Sequence, residues 1–237
     1  VHKRAVEQLS TNNFKCNDLH KFIIELFAKP EDIKIVTTNY DTMLEQVLEL
    51  KKINNVNIYN SPALPLGNKF NGIVHIHGNV KDSQSIIITA EDFGKAYITE
   101  GYVSRFLIKL FESYNVLFIG YSYKDTIVKY LTRAITTYGL YKRYILIDSQ
   151  SNEFELLGIQ PICYGEGKHE NLNKIVGHLA KITHRGLLEW KDIISEYKSA
   201  PPREILIQRE FEYCLLDESK TFLLIENIHG EKWFKWL

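Results

Sequence analysis

The chain has 237 residues, 45% hydrophobic and 24% charged, with 29 Lys plus Arg against 29 Asp plus Glu. This length suits one large domain with an attached piece and a sizeable core, and the balanced charge gives no global field that indicates nucleic acid as a partner. Cys16, Cys163 and Cys214 are odd in number and far apart, which argues against a disulfide framework or a zinc ribbon and for reduced thiols in a cytoplasmic protein.

The chain starts at Val1 and holds a single methionine, Met43, so it is read as a piece of a longer polypeptide. Nothing at its start reads as a signal peptide, and no apolar run approaches the ~18–20 residues of a membrane span. Val1 to Lys29 forms two helix-like blocks broken around Thr11-Asn12-Asn13. The second block, Asp18 to Ala28, stops before Pro30 and is predicted to cover one face of a sheet. His2 and His20 lie near these helices and are given no functional role.

Ile33 to Asp41, IKIVTTNYD, is a short β-branched strand that delivers Asn39, Tyr40 and Asp41 to the point where it stops. Met43, Leu44, Val47, Leu48 and Leu50 follow at helical spacing, with Asp41 or Thr42 as the N-cap. In an open parallel sheet such a strand-to-helix turn lies where ligands bind, and the helix offers its first amides to anionic groups. A short strand Val56–Tyr59 is expected next. The turn-rich loop Asn60–Asn71 is a candidate wall over the site.

Gly72–Gly78, GIVHIHG, is an apolar strand ending in His77-Gly78, and Ser85–Thr89 reads as another buried strand. A helix with Val103, Phe106, Leu107, Leu110 and Phe111 on one face leads to the strand Asn115–Ser122, which ends in Gly120-Tyr121-Ser122. Ile127 to Ile135 then has amphipathic helical spacing. Lys142–Asp148 is a strand with an acidic end, and a short helix Asn152–Leu157, a strand Ile159–Tyr164 and a helix Asn173–His184 complete the alternation. From Arg185 the pattern changes: helices are expected at Leu187–Tyr197 and Glu204–Leu216, and a strand at Thr221–Ile228.

Apolar strands alternating with helices predict an α/β fold, a Rossmann-like parallel sheet with helices on both faces, followed by a mainly helical C-terminal extension. The expected domains are 1–184, which binds the nucleotide, and 185–237, a linker with the start of another module.

The ordered set TTNYD, HIHG and FIGYS resembles the sirtuin-like family, in which such strand ends surround NAD+. The resemblance covers roughly residues 33 to 184 and is nearest to the sirtuin-like NAD+ hydrolase domains of bacterial anti-phage proteins, such as Thoeris effectors and defence-associated sirtuins. It implies that Asn39 and His77 are the pair needed for NAD+ cleavage, that Asp41 holds the nicotinamide carboxamide, and that Gly120 and Ser122 contact the ribose and phosphate side. Thr38 belongs to the same strand end. Gly78 leaves room for a ligand in this reading. The family also has a Gly-rich first turn upstream of its Asn strand, whereas the first glycine here is Gly67, so that strand is expected to be missing from this chain. Deacylation is disfavoured, because the chain has no C-x-x-C pairs for the deacylases' zinc module and has Tyr123 where deacylases continue with Leu.

Residue chemistry runs alongside these implications. An amide such as Asn39 donates and accepts, so it can orient a ribose hydroxyl or a water, and the unperturbed pKa of a histidine near 6.5 suits His77 to general base work. Each also has an ordinary structural reading, Asn39 and Asp41 as capping residues above all. His75 is assigned to the opposite face and a structural role. Asp148, at a strand end, is a candidate acceptor for an adenosine ribose hydroxyl. Gly165-x-Gly167 is a weak phosphate signal.

Two functions are expected from this pattern. The first is an NAD+ hydrolase that takes NAD+ as substrate, uses no metal, works beside further domains or a sensor partner, and can form a homo-oligomer. The alternative is a sensing module that binds NAD+ or an ADP-ribose derivative without turnover.

Overall fold

The computed structural model describes residues 2–10, 15–120, 141–149 and 152–237. Ser122, Tyr123 and the amphipathic helix expected across 127–135 lie outside them. The described residues form two compact units, Val1–His178 and Leu179–Leu237.

In the first unit, β1 (Lys34–Thr37), β2 (Ile58–Asn60) and β3 (Gly72–His75) form a parallel sheet in the order β1-β3-β2. A second parallel sheet has the order β4-β5-β6, with β4 at Val116–Phe118, β5 at Arg143–Ile147 and β6 at Gln160–Cys163. The helices of this unit include α1 (His2–Ser10), α2 (Asp18–Glu25), α3 (Met43–Leu50), α4 (Ala90–Gly94) and α5 (Tyr102–Ser113). Parallel strands surrounded by helices make this the Rossmann-like α/β fold that the apolar strand pattern calls for.

Side-chain alternation along the central strand explains why both faces are covered. Ile73 packs with Leu44, Val47 and Leu48 of α3 and Ile24 of α2. Val74 faces the other way, into a core with Phe106, Leu107, Leu110 and Phe111 of α5. Each such fully buried side chain contributes about 1.5–3 kcal/mol over leaving it exposed. β5 repeats the division: Ile145 packs on Leu157 and Ile159, and Leu146 packs on Leu172 and Val176 of the helix His169–His184.

Two helices join the half-sheets. α2 packs Ile24 into the β1 side and Leu19 and Phe22 against Leu117 and Leu146 of the β4 side. α5 does the same on the opposite face, where its apolar stripe meets Val36 of β1 and both Val116 and Phe118 of β4. The α2 start is set by Asn17, whose side chain accepts the His20 amide in a capping box.

Three expectations are corrected here. Ser85–Thr89 is not a strand. Its Ile86 and Ile87 are buried, but Ser85 Oγ bonds Asp82 O at 2.7 Å and Thr89 caps α4. The run is consumed in a turn and a helix start with no ladder. The Asn60–Asn71 loop does not wall the site; Phe70 packs on Phe106 and Tyr114, and Gly67 lies so close to α5 that an added Cβ would sit 2.1 Å from Phe106 O. Lastly, the run expected as a strand from Thr221 is helical through Asn227, within Glu218–Asn227, because Asp217 accepts the Lys220 amide and nucleates the helix; Ile228 follows it in extended backbone.

The second unit, taken by itself, is helical, with Leu187–Glu196, Ile205–Cys214, Glu218–Asn227 and Glu231–Trp236. Trp190, Ile194, Phe211, Leu224 and Trp233 form its core. Trp233 donates from Nε1 to Tyr197 O at 2.7 Å, which satisfies the indole in the apolar interior. Among the described residues no helix is long and apolar enough to cross a membrane.

Candidate functional site

A cavity of about 570 Å³ lies between the facing edges of the half-sheets. β1 and its end, Lys34 to Asn39, form one side and Tyr114 to Gly120 the other, with Leu19 and Ile23 of α2 and Leu107 and Leu110 of α5 closing the remaining two. Each flanking strand is the outer strand of its own sheet. The cavity is therefore bounded by two strand edges and two helices, the surroundings an additional strand would have. Its interior is apolar and its polar groups gather at strand ends, the general character of a small-molecule site.

Thr38, Asn39 and Asp41 from β1's end and Gly120 from β4's end all contribute to this cavity. Asn39 is exposed, and its amide N–H donates to Thr37 Oγ1 at 3.0 Å. Asp41 Oδ1 accepts the Met43 amide at 3.1 Å and so satisfies one of α3's first-turn donors. Thr42, the residue next to the helix, makes no side-chain cap bond. Gly120 has φ +64° and open space where a Cβ would stand, so its requirement is conformational.

The two histidines of HIHG part company. Side chains at i and i+2 share a face of a strand, yet His75 and His77 reach opposite layers because the strand stops at His75. Gly78 N–H closes a turn onto His75 O at 3.1 Å, and that turn re-aims His77. His75 is fully buried against α3, where Nε2 meets Glu45 Oε1 at 2.9 Å and Nδ1 meets Asn39 O at 3.3 Å. His77 is buried in an aromatic nest of Tyr40, Phe93 and Tyr97. Its Nε2 is 2.7 Å from Tyr97 Oη.

Tyr97 sits in a π-helical turn, Lys95–Thr99, continuous with α4, an arrangement that shifts side-chain direction locally and recurs at functional sites. Tyr40 donates to Ile87 O at 2.6 Å, and burial pushes its phenol pKa upward, with Asp92 adding to the effect. Asn39 lines the cavity and His77 does not; the link between them is Tyr40, whose ring centroid is 6.5 Å from that of His77.

Gly78 does not open room for a ligand. At φ +77° an added Cβ would stand 2.1 Å from Ser85 O, so the glycine is required by the returning 79–85 segment. Asp148, partly exposed at the end of β5, accepts from Ser149 Oγ at 3.2 Å and is not part of the cavity wall. Gly165 and Gly167 both have positive φ in the turn before the His169–His184 helix.

One cavity residue was passed over by the sequence argument. His20 of α2 lines the cavity together with Asp41. Burial lowers its pKa and the nearby Asp41 charge partly offsets this. Its only sequence signal was three-residue spacing from Asn17, which marks a capping box as readily as a site. Among the described residues no group of three or more His, Cys, Asp or Glu side chains is arranged to hold a metal ion.

The profile of SIR2-like domains matches residues 33–160, more than half of the chain. The chain belongs to the SIR2-like domain family. That match begins at β1 and takes in both half-sheets up to the start of β6. SIR2-like domains are in general NAD+-dependent enzymes, so NAD+ is the nucleotide this fold implies. The SIR2-like chain is also 30% identical over 112 residues to an uncharacterized protein, y4cA, of Sinorhizobium fredii (strain NBRC 101917 / NGR234). The matched stretch is 43% of this chain and 9% of that protein, so the chain spans only a small part of its relative's length.

Proposed function

We propose that this SIR2-like domain is an NAD+ glycohydrolase, releasing nicotinamide and ADP-ribose, and that it acts as the effector module of an anti-phage defence protein. The observation that carries the first half is the convergence of Thr38, Asn39, Asp41 and Gly120, from two strand ends, on one cavity of about 570 Å³ in a family built around NAD+. The defence role rests on the resemblance of the three motifs.

In this reading the bond between nicotinamide and ribose C1′ breaks, its electron pair leaves with the neutral nicotinamide, and a water oxygen bonds C1′ as its proton passes to a base. The transition state carries oxocarbenium character, so positioning and electrostatics supply most of the catalysis. Asn39 orients the ribose hydroxyl or the water through its amide. His77 is the base, with its ring held by Tyr97, and the nucleotide reaches it past Tyr40. Asp41 accepts from the carboxamide with the oxygen that α3 does not use. Gly120 and Ser122 meet the ribose and phosphate side, and Asp148 is the candidate acceptor for the adenosine ribose.

The slot between β1 and β4 supports one more element of the proposal. A Gly-rich strand supplied in cis would fill it, pair with both exposed strand edges and bring amide donors to the pyrophosphate. The functional test is to incubate the polypeptide carrying this domain and that strand with NAD+ and follow free nicotinamide. Stoichiometric release of nicotinamide and ADP-ribose is expected. Saturable NAD+ binding with no nicotinamide would instead establish the alternative, a sensing module.

A further inference from the structure

Glu45 and His75 form a buried pair directly beneath the Asn39 turn. Glu45 lies in the first turn of α3 with its side chain 9% exposed, and the His75 side chain is 0% exposed. His75 bridges two elements: Nε2 meets Glu45 Oε1 at 2.9 Å, and Nδ1 meets the backbone oxygen of Asn39 at 3.3 Å.

A carbonyl oxygen only accepts, so the proton of that second contact belongs to Nδ1. Two states then satisfy Nε2. Either an imidazolium donates to the carboxylate, or a protonated Glu45 donates to a neutral ring. Both states keep Nδ1–H aimed at Asn39 O and leave the pair without net charge.

The pair is poorly explained as a stabilising device. Glu45 Oε2 is buried and has no hydrogen-bond partner, and apolar residues of similar volume often match or exceed the stability of a buried ionic pair. What the pair does uniquely is fix a backbone atom of a cavity residue. The Asn39 amide N–H is held by Thr37 Oγ1 and its C=O by His75, so both backbone polar groups of this cavity-lining residue are anchored.

We propose that Glu45 and His75 are positioning residues that set the direction of the Asn39 side chain in the cavity. The catalytic consequence rests on the NAD+ cleavage reading above; the positioning itself does not. Misplacing a catalytic group by about 1 Å costs on the order of 10²-fold in rate.

Three measurements on the polypeptide carrying this domain test the proposal. Imidazole ¹⁵N spectra are expected to report a protonated His75 Nδ1 wherever the protein is folded, and a ring protonated only at Nε2 would overturn the proposal. In the double variant Glu45→Leu/His75→Leu the melting temperature is expected to hold or rise, the Asn39 side-chain amide to become mobile by ¹⁵N relaxation, and kcat for nicotinamide release to fall ~10- to 100-fold with KM nearly unchanged. An Asn39 amide as rigid as in the wild type, or a rate that merely follows the folded fraction, contradicts positioning. Glu45→Gln keeps a partner for Nε2 and is expected to retain rigidity and rate within ~3-fold. Should the wild type release no nicotinamide, the hydrolase reading fails, while the ring spectra and the Asn39 dynamics still decide the positioning.

Discussion

Asn39 and Asp41 were legible as residues because a β-branched run that gives way to helical spacing marks a strand end, and polar side chains there have few other places to go. His75 and His77 are assigned to opposite faces from the sequence, but strand periodicity does not supply the reason. Two residues of one strand share a face, and only the turn closed by Gly78 separates them. That turn gives a direct test: Gly78→Ala meets Ser85 O at 2.1 Å in a left-handed conformation, and is expected to lower stability by roughly 2–4 kcal/mol in urea unfolding. A variant as stable as the wild type would mean the 79–85 segment does not return over Gly78.

Asp92 makes a pH prediction at the same scale. Burial alone would raise its pKa, but the amide and hydroxyl of Thr89, the Ile88 amide and His2 outweigh it and hold the carboxyl well below the usual carboxylate range. A carboxyl depressed in the folded state contributes stability that is fully present above its unfolded pKa of about 3.9 and is lost as pH falls toward the folded value. Asp92→Asn is therefore expected to be less stable than the wild type by about 1 kcal/mol at pH 7, with the gap closing below about pH 4. Chemical denaturation at pH 7 and pH 3 checks the sign; a gap that widens in acid contradicts the assignment.

At the scale of elements, periodicity located most helices and the parallel strands and failed where local hydrogen bonds outcompete it. Ser85–Thr89 has strand composition, yet the hydroxyls of Ser85 and Thr89 are used for a turn and a cap. Thr221–Ile228 has strand composition too, and one capping carboxylate at Asp217 decides for a helix. The π-turn that carries Tyr97 to His77 leaves no trace in apolar spacing, since an inserted residue shifts direction without changing composition.

The helical unit supplies a test that needs no ligand. Cys214 lies in the Ile205–Cys214 helix and is fully buried in its core. That burial pushes the thiol up to about 11, with Asp217 adding to it and Lys220 opposing it. At pH 8 its thiolate is on the order of one part in a thousand, so Cys214 is expected to alkylate only on unfolding, whereas the exposed Cys163 reacts at once. Rapid native labelling of Cys214, mapped by mass spectrometry, would contradict the packing of Trp190, Phe211 and Trp233 around it.

At the scale of the whole molecule, the α/β class followed from the alternation of strands and helices, and the family resemblance implied a missing strand, but the place of the gap between β1 and β4 was not legible. Each strand's apolar run says that it is buried and says nothing about which neighbour it pairs with. The gap appears only when β1 and β4 face each other across the cavity, held by α2 and α5. Residues 1–237 alone are accordingly expected to bind NAD+ weakly, because two phosphate charges would be desolvated without the donors a Gly-rich strand provides. Micromolar affinity of this chain by calorimetry would move the phosphate site to the Gly165–Gly167 turn.

The central claim, that NAD+ is cleaved with Asn39 and His77 as its catalytic pair, is tested most directly by nicotinamide release from the polypeptide carrying this domain and the Gly-rich strand. The wild type is expected to turn over, and Asn39→Ala and His77→Ala each to lose ~10²–10⁴-fold in rate with unchanged melting. Wild-type turnover in either folded variant would contradict the account.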